Sequence, residues 1–411
     1  KKFIVYGQEP TTLQRKIRCV NDIHRDELLQ RLGETTETIK IKYEKPSEKS
    51  KKDNYIDWNG LPEFIVNPPH AEIIVKFTDQ NALEKFYKEI LQKPYKYESG
   101  IWFPYKPRSY PLNAEWTSHH VNKNKYPISI ISKNRYQNDR CLTYLWLADC
   151  EIDHYMFVEH CEKDDYKWIG DSKHCTLIVL PKEMDNLNQG SIPVRNYVDE
   201  YWRSRNVEKY WCVDDNIKSI MRFHKNTNRK VVDATPFCVA EEFADRYKNL
   251  YMSGLQYKSF LPEISRGRGL AIKNTRIYSC ILISTKLKEI LKGRLWRGRY
   301  NEDTDLSLRL LKKGYPTVLH QQFLIEKSTT MSVKGGNTSS IYQEDGLQRK
   351  LDSLIKQHGD VVKGTIKFKK VHHQVNYKPF KKNKLIFKDN LIITDKDWGL
   401  SIKNEFGKLV E

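Results

Sequence analysis

Between Tyr126 and Leu319, short apolar runs of strand character alternate with amphipathic stretches of helical period, and this alternation limits the fold more than anything else in the chain. Strands are predicted over 127–131, 155–158, 176–180, 210–213, 277–284 and 317–319, and helices over 139–148, 193–204, 238–250 and 304–313. Strands joined through helices pair in parallel, because a parallel neighbour needs a crossover of about a dozen residues or more. The predicted class is therefore α/β, with a mostly parallel, Rossmann-like sheet. Upstream, a strand over 73–75, a helix over 81–91 and a strand over 101–105 read as a small βαβ-like unit. The 411 residues exceed the roughly 250–300 at which one core stops growing, so more than one domain is expected. The division expected is a small α+β accessory domain at 1–120, an α/β domain at 121–360 and a basic extension at 361–411.

Hydrophobic residues make up 39% and aromatics 12% of the chain, which excludes a disordered basic tail. No apolar run approaches the ~18–20 residues of a membrane span, and no signal-peptide core is visible near the first residue. The eight cysteines form no CxxC pair, so a zinc knuckle or a disulfide framework is not expected and a reducing cytoplasm is. The net charge of +19 points to a polyanionic partner.

Asp214-Asp215-Asn216 follows the predicted strand 210–213, where open α/β sheets bind ligands. Two carboxylates and an amide are hard oxygen donors suited to Mg²⁺ or Mn²⁺ shared with a phosphate, although Asp and Asn also make ordinary turns. Gln189 and Gly190 open the loop before helix 193–204, and Arg195 adds a planar donor for a phosphate or a base carbonyl. Glu302 and Asp303 precede helix 304–313, where one acid can cap the helix while its neighbour serves as a base. His320 ends a predicted strand and could complete a metal site, or be a core histidine. Residues 261–300 hold 10 Lys and Arg against 2 Glu. Arg266, Arg268, Lys273, Arg276, Arg294, Arg297 and Arg299 there suit a phosphate-rich partner, and Trp296, Tyr300 and Phe260 are aromatic side chains in or beside this stretch.

Taken together, Ile130-Ile131-Ser132-Lys133-Asn134-Arg135, the Gln-Gly-Ser-Ile-Pro-x-Arg-Asn segment at 189–196, Val213-Asp214-Asp215-Asn216, Asn301-Glu302-Asp303-Thr304-Asp305-Leu306 and Lys334-Gly335-Gly336-Asn337 with Tyr342 resemble the TET/JBP-associated glycosyltransferases of tailed bacteriophages. The resemblance covers about 126–373 and implies a GT-A glycosyltransferase domain. It implies that Asp214, Asp215 and Asn216 hold a divalent Mn or Mg ion and the diphosphate of a UDP-sugar. It places the nucleotide's base and ribose against Ser132, Lys133 and Arg135, with Arg195 alongside, and gives the acceptor base to Glu302 and Asp303. The implied acceptor is a hydroxymethylated pyrimidine in DNA, 5-hydroxymethylcytosine or 5-hydroxymethyluracil, and the implied outcome is inversion. A GT-A enzyme acting on a protein, glycan or lipid head group, and a non-catalytic nucleic-acid-binding protein, are the competing readings.

Overall fold

The computed structural model describes residues 13–19, 71–90, 100–103, 115–118, 123–137, 141–170, 172–224, 227–261, 270–328, 346–367, 370–391 and 400–403, together with Asp26, Glu27, Gln30 and Leu61. The chain divides into two compact units, Lys1–Asp53 with Val66–Leu112, and Asn54–Ile65 with Asn113–Glu411.

In the first unit, β1 (Leu13–Cys19), β2 (Ala71–Phe77) and β3 (Gly100–Phe103) form a three-stranded sheet in the order β2-β1-β3. β1 runs antiparallel to β2 and parallel to β3. The βαβ-like unit expected over 73–105 is thereby corrected: its two strands flank β1 and run in opposite directions. The helix Gln80–Glu89 starts where the Asp79 carboxylate accepts the Ala82 N–H at 2.8 Å, satisfying a donor the first turn leaves open. It buries Leu83, Phe86 and Tyr87, with the Phe86 ring 5.0 Å from that of Phe77.

The second unit is built on a twelve-stranded sheet. Its strands are β4 (Glu115–Ser118), β5 (Ile128–Ile131), β6 (His154–Val158), β7 (Cys175–Val179), β8 (Lys209–Asp214), β9 (Ile217–His224), β10 (Thr227–Val231), β11 (Met252–Tyr257), β12 (Ala271–Lys273), β13 (Cys280–Ser284), β14 (Val318–Lys327) and, after the hairpin β15 (Val362–Lys367) and β16 (Lys370–Val375), β17 (Leu400–Lys403). The order is β17-β4-β10-β9-β14-β11-β13-β8-β5-β6-β7, with β12 on β14. The block β7-β6-β5-β8 is parallel throughout and forms the Rossmann-like half predicted from the alternation. β13 then enters antiparallel to both β8 and β11, while β14 is parallel to β11, so the sheet is α/β and mixed.

Period-two geometry accounts for the core. Trp211 and Val213 of β8, with Cys280 and Leu282 of β13, enter one apolar cluster, and their alternates Tyr210, Cys212, Ile281 and Ile283 enter another. Both faces are covered, which is why these strands read as continuous apolar runs. Gly254 of β11 allows the close approach of β13: a Cβ there would lie 2.4 Å from the Cys280 carbonyl oxygen.

Helix Gly346–His358, the β15–β16 hairpin and helix Glu302–Lys312 share a small cluster of Leu308, Leu311, Leu354, Val361, Val362 and Phe380. Asn383 donates to the carbonyls of Leu311 and Tyr315 at 2.8 and 3.1 Å, and β17 pairs with β4. The basic C-terminal stretch is thus packed on this unit wherever it is described. Phe387 makes a single bridge to Tyr247.

Candidate active site

β5 and β8 are parallel neighbours, with Ile131 opposite Asp214, so the loop after β5 and the turn after β8 leave the sheet at the same edge. Ligands bind at such carboxyl ends. From β5, the Ser132 hydroxyl donates to Asp215 Oδ2 at 3.0 Å, and the Arg135 guanidinium donates to Asp215 Oδ1. Burial pushes the Asp215 carboxyl up to about 6, against the pull of Arg135.

Asp214 has a different set of partners. Its Oδ1 accepts from Arg195 Nη2 at 3.0 Å, and its Oδ2 accepts from the Ser279 hydroxyl at 2.7 Å and from Lys327 Nζ at 2.5 Å. Burial opposes its charge, but Lys327 and Arg195 outweigh burial and hold the carboxyl well below the usual range. Lys327 ends β14, and a register shift between Glu326 and Lys327 pairs it with Ile217, beside the acidic turn. Bulges of this kind re-aim side chains next to functional sites. Ser279 just precedes β13 with φ 58°, a left-handed conformation that costs a non-glycine residue ~1–2 kcal/mol and marks a place where strain is retained.

Arg195 ties this cluster to the helix-start acids. It lies in helix Ile192–Arg203, its Nε donates to Ser191 Oγ at 3.2 Å, and its guanidinium stacks 4.7 Å from the Trp296 ring. Ser191 in turn donates to Glu302 Oε1 at 2.9 Å, and Arg195 Nε is 3.7 Å from the same oxygen. Burial raises the Glu302 carboxyl, with Arg195 opposing. Asp303 accepts the Thr304 N–H at 2.6 Å, so it also serves the helix start.

An aromatic group adjoins this network: Tyr257 and Tyr278 have ring centroids 4.4 Å apart, and Phe260 lies 5.3 Å from Tyr257. The Tyr257 hydroxyl and Ser279 Oγ are 2.5 Å apart, which joins the rings to the acidic turn. Arg276 lies 5.0 Å over Tyr278 and 3.2 Å from His373 Nε2.

Other predicted residues lie elsewhere or have other tasks. Lys133 pairs with Glu159 at 2.6 Å and donates to Asn186, Gln189 is exposed, and Gly190 turns the chain at φ 68°. His320 does not join the acids. It is buried on β14, edge-on to Phe243 at 5.2 Å, and both ring nitrogens lack a partner among the described residues. Burial holds it neutral, down to about 3, as a core histidine. Trp296 is fully buried under Arg195 and offers no face to an extruded base. Arg297 is bound to the buried Asp305, whose carboxylate also accepts from Arg309 and faces His358 Nε2 at 2.8 Å. Lys273, Arg294 and Arg299 are exposed, Tyr300 is half-buried, and Arg266 and Arg268 lie outside the described residues. Reading the sequence missed Lys327, Ser279 and Tyr257; none belongs to a motif, and only the sheet order brings them to Asp214.

The expected divalent ion does not fit this donor set. Both carboxylates of the motif already face cations, and Mg²⁺ requires near-octahedral oxygens at ~2.0–2.1 Å. An ion taking Asp214 Oδ2 must displace the Lys327 ammonium. The Asn216 amide oxygen is buried without a partner among the described residues, but a single neutral oxygen does not make a site. Among the described residues, the potential ligand atoms that gather in a group of three are those of Glu159, Cys161 and Asp185, and Lys133 already pairs with that glutamate.

No curated protein matches the chain. The solved structures to which the chain is similar include two at 8% identity each. A CMP:2-keto-3-deoxy-manno-octonic acid synthetase complexed with CTP has a TM-score of 0.29 over 48% of this chain and 89% of its own. An apo UDP-glucose pyrophosphorylase has a TM-score of 0.27 over 49% and 92%. The sequence matches the TET-Associated Glycosyltransferase family over residues 126–336, a span that contains the acidic turn, Arg195, Ser279, the helix-start acids and Lys327. The chain belongs to the TET-associated glycosyltransferase family, and it is a glycosyltransferase.

Proposed function

We propose that the chain moves a sugar from a UDP-sugar to the hydroxymethyl oxygen of 5-hydroxymethylcytosine or 5-hydroxymethyluracil in DNA, with inversion at the anomeric carbon. Two networks that meet at adjacent acids, Asp215–Arg135 and Asp214–Arg195–Ser191–Glu302, at the carboxyl ends of β5 and β8, are the observation that supports this reading most. Together they set cationic donors where a nucleotide's phosphates would lie and a second carboxylate, Asp303, one residue from Glu302.

In the proposed step the acceptor oxygen bonds to the anomeric carbon as its proton passes to Asp303. The bond from that carbon to the diphosphate oxygen breaks, and the nucleoside diphosphate leaves with the electron pair. Charge growing on the leaving group is met by Arg195 and Lys327. Inversion requires the base and the leaving group on opposite faces of the sugar. Glu302, bound to Ser191 and close to Arg195, serves the donor side by fixing Arg195. The exposed Lys273, Arg294 and Arg299 suit DNA phosphates. Phe260, 47% exposed beside Tyr257 and Tyr278, is the ring open to an extruded base.

The test is incubation with a panel of UDP-sugars and DNA with and without each hydroxymethylated base, read as a mass increase on the nucleoside. Equal transfer to unmodified DNA or to proteins removes the reading. Asp303→Asn should lower transfer by about 10²-fold or more with UDP affinity unchanged. Glu302→Gln should weaken UDP binding, and a loss of UDP binding in Asp303→Asn would move that acid to the donor side.

A further inference from the structure

We propose that this transferase carries its donor diphosphate on a built-in ammonium, that of Lys327, and works without a divalent metal ion. The inference rests on the nucleotide-sugar reading above and concerns how the same site handles phosphate charge. Three carboxylates meet there, Asp214, Asp215 and Glu302, and three cationic side chains face them, Lys327, Arg135 and Arg195. Asp214 and Asp215 are each already in contact with a cation, so a doubly charged ion can take either carboxylate only by displacing one, whereas a metal site of hard oxygens needs its carboxylates open to the ion.

Lys327 is also held as a fixed part of the site. The register shift at Glu326 and Lys327 sets its backbone opposite Ile217, and the next residue, Ser328, donates its N–H to the Asn216 carbonyl at 3.2 Å. The ammonium donates to Asp214 Oδ2 at 2.5 Å and to Ser279 Oγ at 2.9 Å. An ammonium has three N–H donors, so one remains for a phosphate oxygen. Lysine is an established phosphate binder of this kind in other nucleotide sites, acting as a point charge. Ser279 completes the arrangement: its φ of 58° directs its hydroxyl to Asp214, and Lys327 donates to the same oxygen. As the donor's glycosidic C–O bond breaks, the electron pair stays on the diphosphate oxygen, and Lys327 and Arg195 neutralise it.

The experiment is calorimetric titration of UDP into the full chain, once in excess EDTA and once in millimolar MgCl₂ or MnCl₂, with sugar transfer followed under the same conditions. The expected result is the same UDP affinity and undiminished transfer in EDTA. UDP affinity or transfer that disappears in EDTA and returns with Mg²⁺ or Mn²⁺ overturns the proposal. Lys327→Met should weaken UDP binding about tenfold or more, as expected for a lost charge-assisted hydrogen bond, and Lys327→Arg should recover part of it. Thermal unfolding of both variants shows whether they fold, and the wild-type titrations decide the question in either case. UDP that binds in neither condition overturns the nucleotide-sugar reading itself, and this proposal with it. UDP bound in EDTA, with transfer to hydroxymethylated DNA in neither condition, upholds the lysine site and overturns only the acceptor.

Discussion

Asp305 and Asp303 are two residues apart at the start of one helix, and the protein uses them in unlike ways. Asp303 is half-buried at the proposed acceptor side, while Asp305 is wholly buried and binds Arg297, Arg309 and His358. Burial pushes the Asp305 carboxyl up, but the hydrogen bond to His358 and the two arginines outweigh it and hold it below its ordinary 3.8. A carboxyl lowered in this way contributes stability that is present above about pH 4 and lost as pH falls through its folded value. Asp305→Asn leaves the half-buried Arg309 and the buried His358 without their anion and should cost about 3 kcal/mol, read as a lower urea midpoint at pH 7. The same variant should lose part of the wild-type decline in stability below pH 4. In the sequence all three acids at 302, 303 and 305 are equivalent helix-start residues, because capping preference is local. Burial and partners from distant segments separate them.

At the scale of elements, helix Thr235–Asp245 is fastened to β8 and to the start of β5 through Glu241. This carboxylate accepts the N–H groups of Lys125 and Tyr126 and the Trp211 indole N–H, at 2.6, 3.3 and 2.7 Å. Burial nevertheless pushes it up to about 7, from an ordinary 4.5. Its contribution to stability is therefore fully present below about pH 4.5 and lost as pH rises through about 7. Glu241→Gln turns an amide N–H₂ toward a backbone donor and should cost about 1–3 kcal/mol at pH 6. The slope of stability between pH 5 and 7 should flatten in that variant, as measured by urea midpoints across the range. The helix itself was legible from its apolar period, starting three residues earlier than expected, at Thr235 where 238 was predicted. The insertion of β13 between β8 and β11 was not legible, since periodicity records that a strand is buried on both faces but not its direction or its neighbours.

For the whole molecule, the net charge of +19 divides between surface and structure. Arg195, Arg135 and Lys327 face internal acids from within the site, and Arg297 binds Asp305 from the surface, where Lys273, Arg294 and Arg299 are also exposed. The logarithm of DNA affinity should fall linearly with the logarithm of salt concentration, with a slope of about 0.9 per neutralised phosphate. Arg294→Ala and Arg299→Ala should each lower that slope by about 1, and Arg297→Ala should act on the urea midpoint instead. A slope near zero in the wild type would remove DNA from the proposed acceptors.

The sequence by itself determined the four strands of the Rossmann-like half, the helices over 139–148, 193–204 and 304–313 to within a few residues, and the motifs at the strand ends, because hydrophobic period and turn chemistry are properties of neighbouring residues; β9 to β12 were not read from it. The tertiary structure alone decided which charges meet. Asp214 and Lys327 are 113 residues apart and touch only because β14 lies beside β9 in the sheet with a shifted register. His320 and Trp296 carried side chains suited to a site, and the sheet and core took them inward. An ion pair depends on sheet order and burial, which are set by the packing of distant segments and leave no local pattern to read.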